Sequence, residues 1–388
     1  MNVGPTLAPE QSGRRLWDCS VVGAGPAGAM AAREMARRGA SVLLIDRSPF
    51  PRYKVCGGCL NPRSLRLLEK SGLGQLTADL GGVPLTRFRL AARGRHADVA
   101  LPTGSGVSRE ALDAALVREA VAAGAAFLPA TTATVLPLSS LADRRGLRLR
   151  HAGRDHSVEC RVVLAANGLG GKLGDWHQTT DDAPEWEPGS RVGAGVMVSS
   201  CPPGYEPHVI YMACAADGYV GAAQVEAGRL DVAAALDPQA VKRAGGPGEL
   251  AVAILDQAGF PPIPGLAQMP WKGTPHLTRQ APRLGGERLF VLGDAAGYVE
   301  PFTGEGMAWA LTGASLVAPL ALRGARHWDA ELLVRWRAAY HRTVTRRQIV
   351  CRATAGVLRR PTATRAMVQV LGLTPWVARP LFRIMYRD

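Results

Sequence analysis

The stretch Leu16-Trp17-Asp18-Cys19-Ser20-Val21-Val22-Gly23-Ala24-Gly25-Pro26-Ala27-Gly28 decides the fold, together with the run that carries it on to Asp46. Residues 16–22 are a short apolar run ending in β-branched residues, the pattern of a buried strand. An alanine-rich helical stretch follows the glycines to Arg38 and stops at Gly39. Residues 41–45 form a second apolar run, and Asp46 closes it. Strand, glycine turn, helix and strand in this order point to dinucleotide binding. Gly23 permits the tight turn, Gly25 lets a pyrophosphate approach the backbone, and Gly28 lets helix and strand pack closely. The helix N-terminus that follows offers free N–H groups and a partial positive charge to phosphates. Asp46 lies 18 residues after Gly28, where a carboxylate can accept hydrogen bonds from a ribose 2′-OH.

Further along, residues 288–292 read as a strand. Gly293-Asp294-Ala295-Ala296-Gly297 and Glu300-Pro301-Phe302-Thr303-Gly304-Glu305-Gly306-Met307 follow, and then a helix over 308–322. Backbone amides at that helix start are again placed to meet an electron-rich group, although an ordinary strand–loop–helix corner would read the same way. Between the two units, residues 108–123 suggest an amphipathic helix opening with Arg109. Residues 160–165 suggest a buried strand ending in Asn167-Gly168. From about 192 to 236, short alternating segments with few helix signals suggest an antiparallel sheet in a second domain. Proline-rich stretches at 184–188 and 261–270 are expected to mark crossings between domains.

The chain has 388 residues, 47% apolar and 20% charged, which is a globular composition and excludes disorder and a disulfide-stapled miniature. Of the 46 basic residues only five are lysine, so the net charge of +14 argues weakly for nucleic acid, and no nucleic-acid partner is expected. The charge is concentrated. Residues 321–388 hold 14 Arg against Asp329, Glu331 and Asp388, a net +11. Seven scattered cysteines suit a reducing compartment. Neither a signal peptide nor an apolar run of ~18 residues is visible, so the expected location is cytoplasmic, with peripheral membrane contact as an option.

The three motifs GAGPAG with Asp46, SREALDAAL containing Arg109, and GDAAGYVEPFTGEGM together resemble the flavoprotein family of p-hydroxybenzoate hydroxylase, the geranylgeranyl reductases and the flavin-dependent halogenases. The resemblance covers roughly residues 16–325. It implies an α/β fold: an FAD-binding Rossmann-like (GR2-type) domain, an inserted antiparallel β-sheet substrate domain and a C-terminal helical segment. The FAD-binding domain is expected in three parts (16–80, 103–185, 276–325), the substrate domain in two (81–102, 186–275), and the basic helical segment at 326–388.

The same resemblance implies FAD as cofactor, with NAD(P)H or a partner such as a flavin reductase as electron source. Gly23, Gly25, Pro26, Ala27, Gly28, Asp46 and Arg47 would hold its ADP half. Arg109 would contact the flavin side, Asp294 the ribityl chain, and Gly304, Gly306 and Met307 the pyrimidine edge. Val135, Gly168 and Gly293 complete the expected cofactor set. Reduced flavin carries negative charge at the pyrimidine edge, which a helix N-terminus stabilises. Within the family, Phe50-Pro51-Arg52-Tyr53-Lys54-Val55-Cys56-Gly57-Gly58-Cys59 looks most like the geranylgeranyl reductase branch, where the matching cysteine, here Cys56, faces substrate. Half a zinc site, a Cys56–Cys59 redox pair, or a merely buried Cys59 are the other readings of this CxxC.

The chain also departs from the family. Asn167-Gly168 stands where an Asp-Gly pair is usual. The stretch 217–225 lacks the reductases' aromatic motif ending in Phe-Pro-Lys, and the halogenases' WxWxIP is missing. Pro301 aligns with the hydroxylases' substrate-facing proline. The leading expectation is therefore a monooxygenase of a hydrophobic aromatic or polyketide-like molecule, with Tyr211, Tyr219 or His208 bonding the substrate hydroxyl. The alternatives are an ene-reductase of an isoprenoid or polyene, in which Cys56 assists proton delivery, and a flavin-binding module without turnover.

Overall fold

The computed structural model describes residues 3–138, 143–171, 173, 185–281, 283–300, 302, 304–378 and 386. The opening stretch folds as its pattern predicts: strand Leu16–Val22, helix Pro26–Ala36, strand Val42–Ile45. Leu16–Val22 lies inside a sheet, parallel to Val42–Ile45 on one side and to Arg154–Ala165 on the other, with Val21 opposite Leu44 and Leu164. Covered on both faces, these strands are near-continuous runs of apolar residues. Ala126–Leu128 extends the sheet beyond Val42–Ile45, and Leu289–Val291 extends it beyond Arg154–Ala165.

Helix Arg109–Ala122 begins after Ser108, whose hydroxyl accepts from the Ala111 N–H at 3.1 Å. It is not amphipathic in the simple sense. Leu112, Ala114, Ala115, Leu116 and Val117 are all buried around its circumference, and so is Asp113, because the helix is enclosed.

A second sheet runs from Lys272–His276 through Val192–Val198, Leu230–Leu236, Gly218–Gln224 and Val209–Ala215 to Val83–Ala92 and Arg95–Gly106. The segment 192–236 is antiparallel as expected, but Val209–Ala215 joins Val83–Ala92 in parallel, so the whole sheet is mixed. Its outer face is covered by helix Pro247–Ala258 and by Phe260, Ile263 and Leu266. The proline-rich stretch 261–270 therefore packs on this sheet and is not a crossing. The chain leaves the sheet after His276. Glu185–Trp186, in the other proline-rich stretch, pairs with Arg279–Gln280, which also pairs with Gly297–Tyr298.

The basic C-terminal segment is mostly structural. Helix Glu331–Tyr340 buries Leu332, Trp336 and Tyr340 in the first core, and the Trp336 indole donates to Leu284 O and Val291 O at 3.0 and 3.2 Å. Helix Pro361–Leu373 lies against Arg95–Gly106, so closely that a β-carbon on Gly372 would stand 2.8 Å from His96 O. Among the described residues no helix is long and apolar enough to cross a membrane.

Candidate active site

The first turn separates glycines the fold needs from one it does not. Gly23 has φ +103°, and a β-carbon there would meet Ala166 O at 2.2 Å; at Gly28 one would meet Gly23 O at 1.8 Å. At Gly25 the nearest atoms would be Nη2 of Arg109 at 3.6 Å and Nη2 of Arg52 at 3.8 Å, ordinary contacts. The protein leaves room for a side chain at Gly25, whereas a pyrophosphate lying on the turn would not.

Gly25, Pro26 and Ala27 open onto a cavity of about 740 Å³. Arg47, Arg109 and Gly168 share its wall, as do Gly293, Asp294, Gly304, Gly306 and Met307 from the second glycine unit. Two motifs 270 residues apart in the chain thus meet around one space large enough for a cofactor and more. Asn167, also in the wall, has a buried Oδ1 with no hydrogen-bond partner among the described residues, a group that a polar ligand would satisfy. Arg109 donates twice to Asp113, from Nε and Nη2, at 2.8 Å each, and Arg52 reaches the same carboxylate at 3.0 Å. Burial would raise the Asp113 pKa, but the two guanidinium charges win and hold it below the usual carboxylate range. Arg52 also stands 3.6 Å from Asp46, so the result is two guanidinium groups held in fixed positions beside the turn by two carboxylates.

Some expected cofactor residues lie elsewhere. Asp46 accepts from the Ala24 N–H at 2.8 Å and the Ser48 N–H at 2.9 Å, bracing the glycine turn outside the cavity wall. Val135 is buried in the first core, with its N–H on Leu173 O at 2.8 Å. Gly23 and Gly28 act through packing, as the steric distances show.

On the substrate side the strand period sorts the candidates. Ile210 and Met212 reach the cavity, so Tyr211 between them points outward. There it packs on Tyr205 and Phe260, and its hydroxyl accepts from the Glu206 N–H and donates to Gly204 O. It is a core residue, not a substrate contact. His208 is exposed and held to Pro84 O at 2.7 Å. Tyr219 remains in the wall, edge-on to Phe302. Pro301 lies outside the described residues.

Both cysteines of the CxxC are free and half-buried, and both reach the wall. Cys59 donates to Gly57 O at 3.0 Å. Burial pushes both thiols up, with Arg109 pulling Cys56 partly back. Tyr53 and Lys54 also line the cavity; Lys54 Nζ stands 3.9 Å from Asp294, and burial lowers its pKa. Neither these two nor the Asp113 brace stood out among the expected site residues. The Arg109–Asp113 spacing of one helical turn was a signal for the brace.

Residues 17–187 match the family model of the FAD binding domain. That stretch is an FAD-binding domain of this superfamily, and FAD is its cofactor. Over 174 residues the chain is 38% identical to a menaquinone reductase of Mycobacterium tuberculosis, covering 42% of this chain and 41% of that protein. Over 166 residues it is 31% identical to a digeranylgeranylglycerophospholipid reductase of Methanosarcina mazei, covering 41% and 40%. The match thus spans about two fifths of the length of these curated relatives. PqsL of P. aeruginosa, solved with 2-aminobenzoylacetate, shares the fold with a TM-score of 0.71 at 20% identity, covering 91% of this chain and 99% of that one.

Proposed function

We propose that the chain is an FAD-dependent oxidoreductase that saturates a carbon–carbon double bond in a long, apolar, isoprenoid-like molecule. One observation carries this reading: the Cys56 thiol shares a wall with an apolar surface made by Phe88, Leu90, Val99, Leu101 and Met212, closed by Met367 and Leu371 of the C-terminal helix. Such a surface selects by burial of hydrocarbon, at about 25 cal/mol per Å², and not by hydrogen bonds. The names of the two reductase relatives support it. Hydroxylation of a phenolic ring is the second reading. It asks for a fixed partner for the substrate hydroxyl; Tyr211 and His208 are turned away, and of the three expected partners Tyr219 is in the wall, where Tyr53 and Tyr298 stand as well.

Reduced FAD would supply a hydride. The chain's own residues would do the rest: the turn at Gly25 and the Arg109–Asp113–Arg52 cluster would hold the phosphates, and Gly304 to Met307 would present helix-start amides to the flavin's pyrimidine edge. Cys56, kept protonated by burial, would hold the proton that completes the reduction. NAD(P)H or a partner flavoprotein would supply electrons. Substrate would enter beside the C-terminal segment, from an anionic membrane surface.

The test reduces the FAD-loaded protein by light without oxygen and mixes it with menaquinone in detergent. Product is reoxidised in air before mass spectrometry. A gain of two hydrogens on the isoprenoid chain supports the reading. A product heavier by one oxygen, formed only after oxygen is admitted, overturns it in favour of hydroxylation.

A further inference from the structure

The second sheet turns one face to the outer core and the other to the cavity, and the registers of its strands set the cavity-facing residues in rows. In one row Lys272 lies opposite Gly195, Gly195 opposite Ala233, Ala233 opposite Gly221, Gly221 opposite Met212 and Met212 opposite Leu90. All but Gly195 line the cavity, and Gly195 faces the same way because Ala194 and Val196 on either side of it pack in the outer core. The ends of the row are large and its middle is small. At the usual strand spacing the row measures about 24 Å, several times the width of an aromatic ring. Glycine in a strand interior weakens the strand and marks a place where something approaches closely. Neither Gly195 nor Gly221 has a φ in the left-handed region, so the backbone asks for glycine at neither. At Gly195 the protein itself takes the space, since a β-carbon would stand 2.9 Å from the Tyr53 hydroxyl. At Gly221 the nearest described atoms would be the end of Met212, Cε at 3.2 Å and Sδ at 3.6 Å, which can swing aside. The protein leaves room there that it does not fill. The Tyr53 hydroxyl beside Gly195 is buried without a hydrogen-bond partner among the described residues, and Lys272 Nζ lies 5.4 Å from the centre of its ring. A buried hydroxyl without a partner is costly, and a ligand would satisfy it. Asp231, two residues before Ala233, is taken up under the Cys56–Cys59 turn: its Oδ2 stands 2.8 Å from where a β-carbon on Gly58 would be.

We propose that the substrate lies along this row, its hydrocarbon chain crossing the strands over Ala233 and Gly221 toward Met212 and Leu90 and its oxygen-bearing head at Tyr53 and Lys272, and that Gly221 is the residue that selects for the chain. The proposal rests on the reductive reading above and adds to it a direction and a head. With no side chain at Gly221 a chain can lie on the backbone itself, and Met212 can fold over it; the end of a methionine adapts to irregular hydrocarbon at little cost. At the other end the Tyr53 hydroxyl donates to an oxygen of the head, and the Lys272 ammonium adds a positive charge from the exposed start of strand Lys272–His276. A quinone carbonyl and a phosphate oxygen share the acceptor chemistry that these two donors recognise. A ring without a chain would fill only one end of the row, so the row separates isoprenoid substrates from small phenols.

The experiment measures binding without turnover, to the oxidised, FAD-loaded full chain, from the change in flavin absorption on titration in detergent. The probes are menaquinone, menadione (the ring without the chain), squalene (a chain without a head) and geranylgeranyl phosphate. Gly221→Val is expected to weaken menaquinone, geranylgeranyl phosphate and squalene about tenfold and to leave menadione unchanged, with FAD affinity held. Tyr53→Phe should weaken the probes that carry a head by about three- to tenfold and leave squalene unchanged. A loss for menaquinone and menadione in Tyr53→Phe assigns the head as a carbonyl, and a loss confined to geranylgeranyl phosphate in Lys272→Gln assigns it as a phosphate. Menaquinone bound by Gly221→Val as by wild type overturns the proposal. So does menadione bound by wild type as tightly as menaquinone, or unchanged binding of every headed probe in Tyr53→Phe and Lys272→Gln. Should Gly221→Val fail to fold, Gly221→Ala is read in the same way, with an expected loss of about threefold. Menaquinone binding that responds to Gly221→Val, without saturation of the chain once the flavin is reduced, leaves the row standing and sinks only the reductive reading.

Discussion

Gly25 and Gly28 stand in one turn and answer to different constraints. At Gly28 any side chain collides with the backbone of Gly23, so Gly28→Ala is expected to unfold the turn and lower stability with or without flavin. At Gly25 the nearest protein atoms are the ends of two arginine side chains at ordinary distance. Gly25→Val should therefore leave the melting temperature of the flavin-free protein within a few degrees of wild type while abolishing FAD binding. Flavin fluorescence titration beside thermal melting checks this. A Gly25→Val protein that binds FAD like wild type would show that no phosphate lies on this turn.

At the scale of an element, the helix Gly306–Arg326 starts at Glu305, which is buried and accepts from Asn61 Nδ2 at 2.8 Å, with Arg63 3.8 Å away. A helix start favours a carboxylate by roughly 0.3–1 kcal/mol, up to about 2. Burial outweighs that and the two nearby arginines, Arg63 and Arg347, and Glu305 is pushed up to about 7. An acid whose folded pKa is raised binds its proton more tightly folded than unfolded. Its stabilising effect is thus full below the unfolded pKa of 4.5 and is lost as pH rises to about 7. The difference amounts to roughly 3 kcal/mol. Glu305→Gln keeps an acceptor for Asn61 and removes the titration. Relative to wild type it should gain about that much stability between pH 4.5 and pH 8, measured by denaturant unfolding at both pH values. An equal pH dependence in the two proteins would mean that Glu305 is ionised throughout.

Across the whole molecule, the C-terminal segment has two faces. Trp336 and Tyr340 tie it to the first core, and Met367 and Leu371 close the cavity. Yet Leu373 and Trp376, 77% and 64% exposed, project beside that closure together with Val370 and Val377. The segment 321–388 carries a net +11, and an anionic bilayer would attract it at roughly 1 kcal/mol per engaged basic residue. Sedimentation with anionic vesicles should show binding at low salt that fades at high salt and weakens in a Leu373→Asp, Trp376→Ala double variant. No binding at low salt would leave the arginines as a solvated face.

By itself the sequence determined the dinucleotide unit and the second glycine unit, because each is a local pattern whose spacing carries its own mechanical reason, whereas the cysteine loop was placed by family resemblance. Glycine turns, helix starts and apolar runs are written in consecutive residues, and so Leu16 to Asp46 folds as read. Only the tertiary structure decided which side chains share the cavity. Whether Tyr211 or its neighbours face substrate depends on the register of a strand, and a shift of one residue reverses the answer. The parallel pairing of Val209–Ala215 with Val83–Ala92 joins segments more than a hundred residues apart, for which no local pattern exists. The place of Asp231 under the Cys56–Cys59 turn was likewise beyond any local pattern, because that contact is made by packing between distant elements.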